Sequence, residues 1–152
     1  MKVLVDTNVI LRFTQTANPG HILARSALVQ LSKSEHELCL APQSIYEYWV
    51  VATRPVAVNG FGMSVTDADQ KIQELLLHFT LLRDERGIYS RWHDLVVKHS
   101  VQGKPAHDTR LVAAMERHGV KYLLTFNKSD FARFPSIVAL SPDEIVTGIM
   151  PA

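Results

Sequence analysis

Three features of the sequence predict an α/β fold: a three-layer α/β/α sandwich around a mainly parallel, five-stranded sheet. Short apolar runs alternate with longer segments of helical period along the chain. The runs are mostly continuous rather than alternating, as in strands covered on both faces. Helical segments lie between the strands, which is the pattern of crossover connections. At 152 residues the chain is expected to form one domain, and it is long enough to bury a sizeable core.

The first strand is KVLV at 2–5. It stops on Asp6, and apolar residues resume at Val9 after Thr7-Asn8. Asp6 therefore admits two readings: the cap of a helix starting at Thr7 or Asn8, or a carboxylate placed at a strand end to meet a metal. A helix over 21–34 follows the turn ANPG. The second strand is ELCLA at 37–41. A helix over 42–53 begins with Pro42, suited to a first turn. TRPVAVNGFGMS at 53–64 is rich in turn residues and reads as a loop. Thr66-Asp67 opens a helix running to 78, and the third strand is FTLL at 79–82. A helix over 85–100 carries Ile88, Trp92, Leu95, Val96 and His99 at helical spacing. The next, 105–118, starts at Pro105 and stops before Gly119. Strand four is YLLT at 122–125, followed by a short turn or helix at 128–133. Strand five is IVAL at 137–140, and a last helix starts at Pro142.

Apolar residues make up 47% of the chain and charged residues 20%, which excludes a disordered polypeptide. The net charge of +1 neither requires nor forbids a nucleic-acid partner, so the placement of charge must decide. No run approaches the ~18 apolar residues of a membrane span, and Asp6 interrupts what would be the apolar core of a secretory signal. Cys39 is the lone cysteine, so no internal disulfide forms. It reads as a small buried hydrophobe in a chain expected in the reducing cytoplasm.

Function is sought beyond the carboxyl ends of the strands, where crevices of open α/β sheets lie. Asp6 follows strand one; Thr125 and Asn127 follow strand four, with Asp130 just beyond. Asp108 shares a helical stripe with Leu111, Val112 and Met115, so its carboxylate is expected to face inward. Glu47 is read the same way through Val50 and Val51. Ser44-x-x-Glu47 also fits a capping box, Asp108 suits a helix start, and Asp130 suits a polar turn. Converging carboxylates ~4 Å apart would repel by on the order of 4 kcal/mol at an effective dielectric of ~20. A divalent cation turns that repulsion into binding. Oxygen donors without a His/Cys cluster favour Mg²⁺ or Mn²⁺ over Zn²⁺. His107, beside Asp108, matches no zinc spacing.

The ordered set VLVDTNVILR, an inward Glu in the second long helix, HDTRLVAAMERHG and LLTFNKSDF resembles the PIN-domain nucleases, most closely the VapC-type toxins of toxin–antitoxin pairs and related stand-alone PIN proteins. The resemblance spans residues 2 to about 141. It implies Mg²⁺- or Mn²⁺-dependent hydrolysis of RNA phosphodiesters. It places the family's acids on Asp6, Glu47, Asp108 and Asp130, with Asp6, Asp108, Asp130 and Asn127 toward the metal. Thr125 and Asn127 fall on the family's T-x-[ND] positions. Many members carry Asp where this chain has Asn127, so the ligand role is divided between Asn127 and Asp130. Asn8 matches a position that holds the first Asp in place. A homodimer and a small antitoxin partner are further implications.

Candidate RNA contacts are Arg12, Arg54, Lys104 and Arg110, with Lys128 and Arg133 also near the acids. Tyr46, Trp49 or Phe61 could stack bases, although Trp49 reads better as core. Competing readings fit less of the chain. A haloacid-dehalogenase-like phosphatase wants D-x-D, and here the second position is Asn8. A response-regulator receiver wants an acidic pair after strand one and a Lys after strand five. A dinucleotide site wants G-x-G-x-x-G after strand one. A non-catalytic PIN module that binds RNA or a partner would be signalled by missing acids, and all four are present.

Overall fold

The computed structural model describes residues 1–152. Its five strands form one sheet, all parallel, in the order β3-β2-β1-β4-β5. They are β1 (Lys2–Val5), β2 (Glu37–Leu40), β3 (Thr80–Leu81), β4 (Tyr122–Leu124) and β5 (Val138–Leu140). The helices are α1 (Thr7–Thr14), α2 (His21–Lys33), α3 (Pro42–Thr53), α4 (Val65–His78), α5 (Ile88–Lys98), α6 (Pro105–His118) and α7 (Pro142–Val146).

The pleat of the central strand divides the core. Val3 and Val5 face a cluster that includes Ile10, Leu28, Leu31 and Ile145. Leu4 faces the opposite layer, with Cys39, Leu111, Met115 and Leu123. Successive side chains of one strand thus hold the two outer layers of the sandwich. Helix α5 is packed outside α6, where Ile88 and Trp92 meet Ala113 and Ala114.

The order of the strands fixes where a crevice opens. From β1 the chain winds outward through β2 and β3 on one side, then returns to place β4 and β5 on the other. The sheet therefore has its topological switch point between β1 and β4, and the carboxyl end of that pair is where an open α/β sheet offers a cleft. Asp6 and Thr125 are the residues that leave β1 and β4 there. The amide of Asp6 still donates to the Leu124 carbonyl at 3.0 Å, so the two strand ends stay locked side by side.

Several elements differ from the sequence-based reading. Residues 7–14 form the helix that only the capping reading of Asp6 anticipated, directly at the end of β1. Strand three is reduced to two edge residues. The helix expected over 85–100 is Ile88–Lys98, entered through Gly87 at φ 96. Ser64, not Thr66-Asp67, caps α4, its hydroxyl accepting from the Asp67 amide. Ser44 and Glu47 form no capping box, because α3 already begins at Pro42 and Ser44 lies inside it. The box sits instead at Ser141 and Glu144, at the start of α7.

The segment after α3 is folded back on that helix rather than loose. The amides of Phe61 and Met63 donate to the carbonyls of Val51 and Ala52, and the Gly62 amide to Arg54. Phe61 and Met63 pack against the core. Gly60 is obligatory here, since a β-carbon on it would lie 1.8 Å from the Arg54 carbonyl oxygen.

Candidate active site

Asp6 is the only residue between the end of β1 and the start of α1, and its side chain serves both neighbours. Oδ1 accepts the Thr7 amide at 2.8 Å, which caps α1. Oδ2 accepts the Thr125 hydroxyl at 2.8 Å and the Asn8 amide at 3.2 Å. Asn8 also donates to Thr125 Oγ1, and its Oδ1 accepts the Phe126 amide. Thr125 Oγ1 in turn accepts the Asn127 amide at 3.0 Å. Asn8 is fully engaged in joining the two strand ends. Asp6 is 8% exposed and Thr125 is fully buried. A charged group so placed needs a compensating partner, yet Asp6 is in no ion pair. Burial raises its pKa. The Thr125 hydroxyl and Thr7 amide oppose that rise, and the charges of Glu47 and Asp130 add to it.

The other three acids come from three different elements. Glu47 (α3), Asp108 (α6) and Asp130 (the turn after β4) line one cleft of about 740 Å³. Glu47 and Asp130 are exposed, so the inward orientation expected for Glu47 is corrected: its helix buries Ser44 and Tyr48 and turns Glu47 and Val50 toward the cleft. Asp108 is half-buried. Its pKa is pushed up to about 6, first by burial and then by the charges of Asp6, Asp130 and Glu47. Asp6 and Asp108 thus both feel the charges of Glu47 and Asp130, and none of the four is neutralised by Lys or Arg.

Glu47 is exposed yet not free. Oε2 accepts the Thr7 hydroxyl and Oε1 accepts the Gln43 amide, both at 2.9 Å. The same Gln43 nitrogen donates to the His107 carbonyl at 2.9 Å. Thr7 and Gln43 were not singled out by the sequence reading. The available signal was the Gln43–Glu47 spacing, which puts both on one helix face.

Asp130 lines the cleft, whereas Asn127 beside it is exposed and anchored by its backbone amide. Among the candidate RNA-contacting cations, only Lys104 lines the cleft. Arg12 lies over the Phe126 ring, 4.0 Å from its centroid. Arg54 donates to the Asn59 carbonyl, Arg110 pairs with Asp84 at 2.9 Å, and Lys128 pairs with Glu144. Trp49 packs against the core, as does Phe61, while Tyr46 is exposed on the cleft wall. His107 is exposed at the cleft, and its carbonyl is what the structure uses.

The donor set suits a hard cation: carboxylate oxygens with uncompensated charge, those of Asp6 and Glu47 fixed by neutral hydrogen-bond donors. No three His, Cys, Asp or Glu side chains stand at metal-ligand spacing in this arrangement. The fit is therefore one of chemistry, and a cation would have to draw the carboxylates together.

Comparison with known proteins agrees with this fold. The PIN domain family matches residues 3–136. The chain belongs to the PIN-domain family. Among solved structures it is similar to VapBC2 from Rickettsia felis bound to a promoter DNA fragment, with a TM-score of 0.71 at 12% identity, covering 93% of this chain and 98% of that one. VapBC-1 from nontypeable Haemophilus influenzae gives 0.68 at 17% identity, covering 94% and 99%. VapC20 from Mycobacterium tuberculosis, described as a sarcin-ricin loop cleaving toxin, gives 0.65 at 15% identity, covering 87% and 95%. At these identities the likeness is one of fold. No protein of curated function matches in sequence. No helix of this PIN domain is long and apolar enough to cross a membrane.

Proposed function

We propose that this PIN domain is a metal-dependent endoribonuclease and the toxin of a toxin–antitoxin pair. The observation that carries the reading is Asp6: a buried carboxylate at the switch point of the sheet, fixed by neutral donors and paired with no cationic side chain, with Glu47, Asp108 and Asp130 acting on it electrostatically. Asp6, Asp108 and Asp130, with the Asn127 amide beside them, would hold Mg²⁺ or Mn²⁺. The bound cation supplies charge neutralisation at the scissile phosphate and acidifies water.

The chain's own residues do the rest. Thr125 and Asn8 keep the second oxygen of Asp6 pointed at one place. Glu47, held at both oxygens, accepts the proton of the attacking water. Lys104, on the cleft wall, meets a backbone phosphate, and exposed Tyr46 offers a face for an unpaired base. The toxin role draws support from the toxin–antitoxin complexes among the similar structures. It also draws on a groove of about 550 Å³ beside exposed Val29 and Leu77, which is apolar enough for a protein partner. A homodimer is part of the same proposal.

The deciding experiment is cleavage of single-stranded RNA with Mg²⁺, Mn²⁺ or EDTA, beside Asp6→Asn. Metal-dependent cleavage that disappears in the variant is the expected result. Equal cleavage by both proteins removes Asp6 from the reaction and the proposal with it. No cleavage by either, with RNA still bound, favours a non-catalytic RNA-binding module.

A further inference from the structure

Gln43 is 8% exposed and lies at the floor of the acidic cleft. Its Nε2 makes two hydrogen bonds of 2.9 Å, one to Glu47 Oε1 on its own helix and one to the His107 carbonyl on α6. Both partners are acceptors, so the amide can be oriented only with its nitrogen toward them. The other end of the amide is left bare, since Oε1 is buried and has no partner. A buried, unsatisfied acceptor is costly, and a fold that retains one calls for a reason. A hydrocarbon side chain of the same length would fill the space without that cost.

The two bonds supply the reason. His107 immediately precedes Asp108, so Gln43 ties the first turn of α6 to the carboxylate of Glu47. No other side-chain hydrogen bond joins α3 to α6 near the cleft. Glu47 and Asp108 repel each other, and the bridge opposes their drifting apart. It does so with a neutral donor. A Lys or Arg at this place would hold the same two groups but cancel the charge that attracts a cation.

We infer that Gln43 is a positioning residue of the PIN-domain site, a neutral bridge that ties Glu47 to the Asp108-bearing turn across the cleft in which a divalent cation would draw the carboxylates together. The inference rests on the metal-dependent reading above. Partners of this kind around metal ligands are worth 10–100-fold in metal affinity or activity.

The test uses Gln43→Met, which keeps the length and removes both donors, and Gln43→Glu, which keeps size and polarity but cannot bridge two acceptors when ionised. Thermal unfolding is followed across a Mn²⁺ titration, and RNA cleavage is read as kcat and KM separately. Gln43→Met should unfold near wild type in EDTA, whereas Gln43→Glu adds a buried negative charge beside Glu47 and should unfold below it, so that variant is read by its Mn²⁺ midpoint and its kinetics alone. Both variants should need about tenfold more Mn²⁺ for half-maximal stabilisation and lose kcat with KM for RNA little changed. A purely structural role would instead lower the unfolding temperature of Gln43→Met in EDTA and leave the Mn²⁺ midpoint in place, which overturns the inference. If neither variant folds, the wild-type side-chain amide of Gln43 is read by NMR. Protons that shift with diamagnetic Mg²⁺, and not in Glu47→Gln, uphold the bridge; protons indifferent to Mg²⁺ overturn it. A wild type that neither cleaves nor gains stability from Mn²⁺ refutes the metal-dependent reading and this one together. A responsive wild type with variants that respond at the same Mn²⁺ midpoint refutes only this one.

Discussion

Replacing Asp108 by Asn should stabilise the metal-free protein while disabling it. Folding carries the Asp108 carboxyl from a pKa of 3.8 to about 6. A rise of that size, at ~1.4 kcal/mol per pH unit, sets a ceiling of ~3 kcal/mol. Asp108 is only half-buried, so solvent screening reduces this to about 1–1.5 kcal/mol. The sign follows from proton linkage. A carboxyl whose pKa is raised on folding holds its proton more tightly in the native state. Its ionisation therefore costs stability as pH rises from about 3.8 to about 6, and the full cost is present above that window. The amide introduced by Asp108→Asn carries no charge at any pH. Thermal unfolding in EDTA should place the variant about 2–6 °C above wild type near neutral pH, given ~2–4 °C per kcal/mol for a chain of this size. The gap should close below about pH 4. Added Mn²⁺ should reverse the order, since only wild type gains a ligand. A variant less stable than wild type in EDTA at neutral pH would refute the claim that these acids repel one another in the folded protein.

Further outcomes follow from the same contacts. Thr125→Val keeps the shape but removes the donor to Asp6 and the acceptor of Asn8 and Asn127; unfolding should show a loss of about 2–3 kcal/mol, with RNA cleavage falling more steeply than stability. Gly60→Ala should destabilise by on the order of 2 kcal/mol or more, because the Arg54 carbonyl occupies the space of the new methyl group; chemical denaturation measures it. Arg110→Gln breaks an exposed pair with Asp84 worth no more than ~1 kcal/mol, so cleavage kinetics should be unaltered. Lys104→Gln, by contrast, should raise KM for RNA and flatten its dependence on salt.

How much of this was legible in the sequence differs by element. The buried strands were, because continuous apolar runs such as KVLV and YLLT need two covered faces. Edge strand β3 was overread, since FTLL has the same composition but only Cys39 and Leu40 beside it to pair with. Helix α1 was hard to see because no turn residues separate it from β1; the single residue Asp6 is both linker and cap. Ser44-x-x-Glu47 and Ser141-x-x-Glu144 share one pattern, and only the position of the nearby proline tells them apart. Pro42 starts α3 before Ser44, whereas Pro142 follows Ser141 and makes it the cap. The positions of Asp6 and Asp108 could be read from a strand end and a helix start, but the facing of Glu47 could not, since α3 buries Ser44 and Tyr48 and leaves Glu47 exposed. The fate of the cations could not, because Arg110 meets Asp84 across 26 residues and Arg12 meets Phe126 from a distant part of the chain.

Capping does not compete with the second reading of Asp6: the carboxylate that starts α1 also keeps its second oxygen at the switch point of the sheet. Capping fixes the rotamer: with Oδ1 committed to the Thr7 amide, Oδ2 cannot swing away from Thr125. The N-terminal end of α1 carries partial positive charge, which favours the ionised carboxylate that burial disfavours. Thr7 then adds a second duty, since its hydroxyl reaches Glu47 while its amide holds Asp6. One helix start thereby orients two of the four acids without placing a cationic side chain on either. A lysine beside Asp6 would stabilise the fold more, but it would cancel the negative field of the cleft. None of the four carboxylates is in an ion pair, and Asp6 and Glu47 are held by neutral donors alone, as the proposed cation site would need.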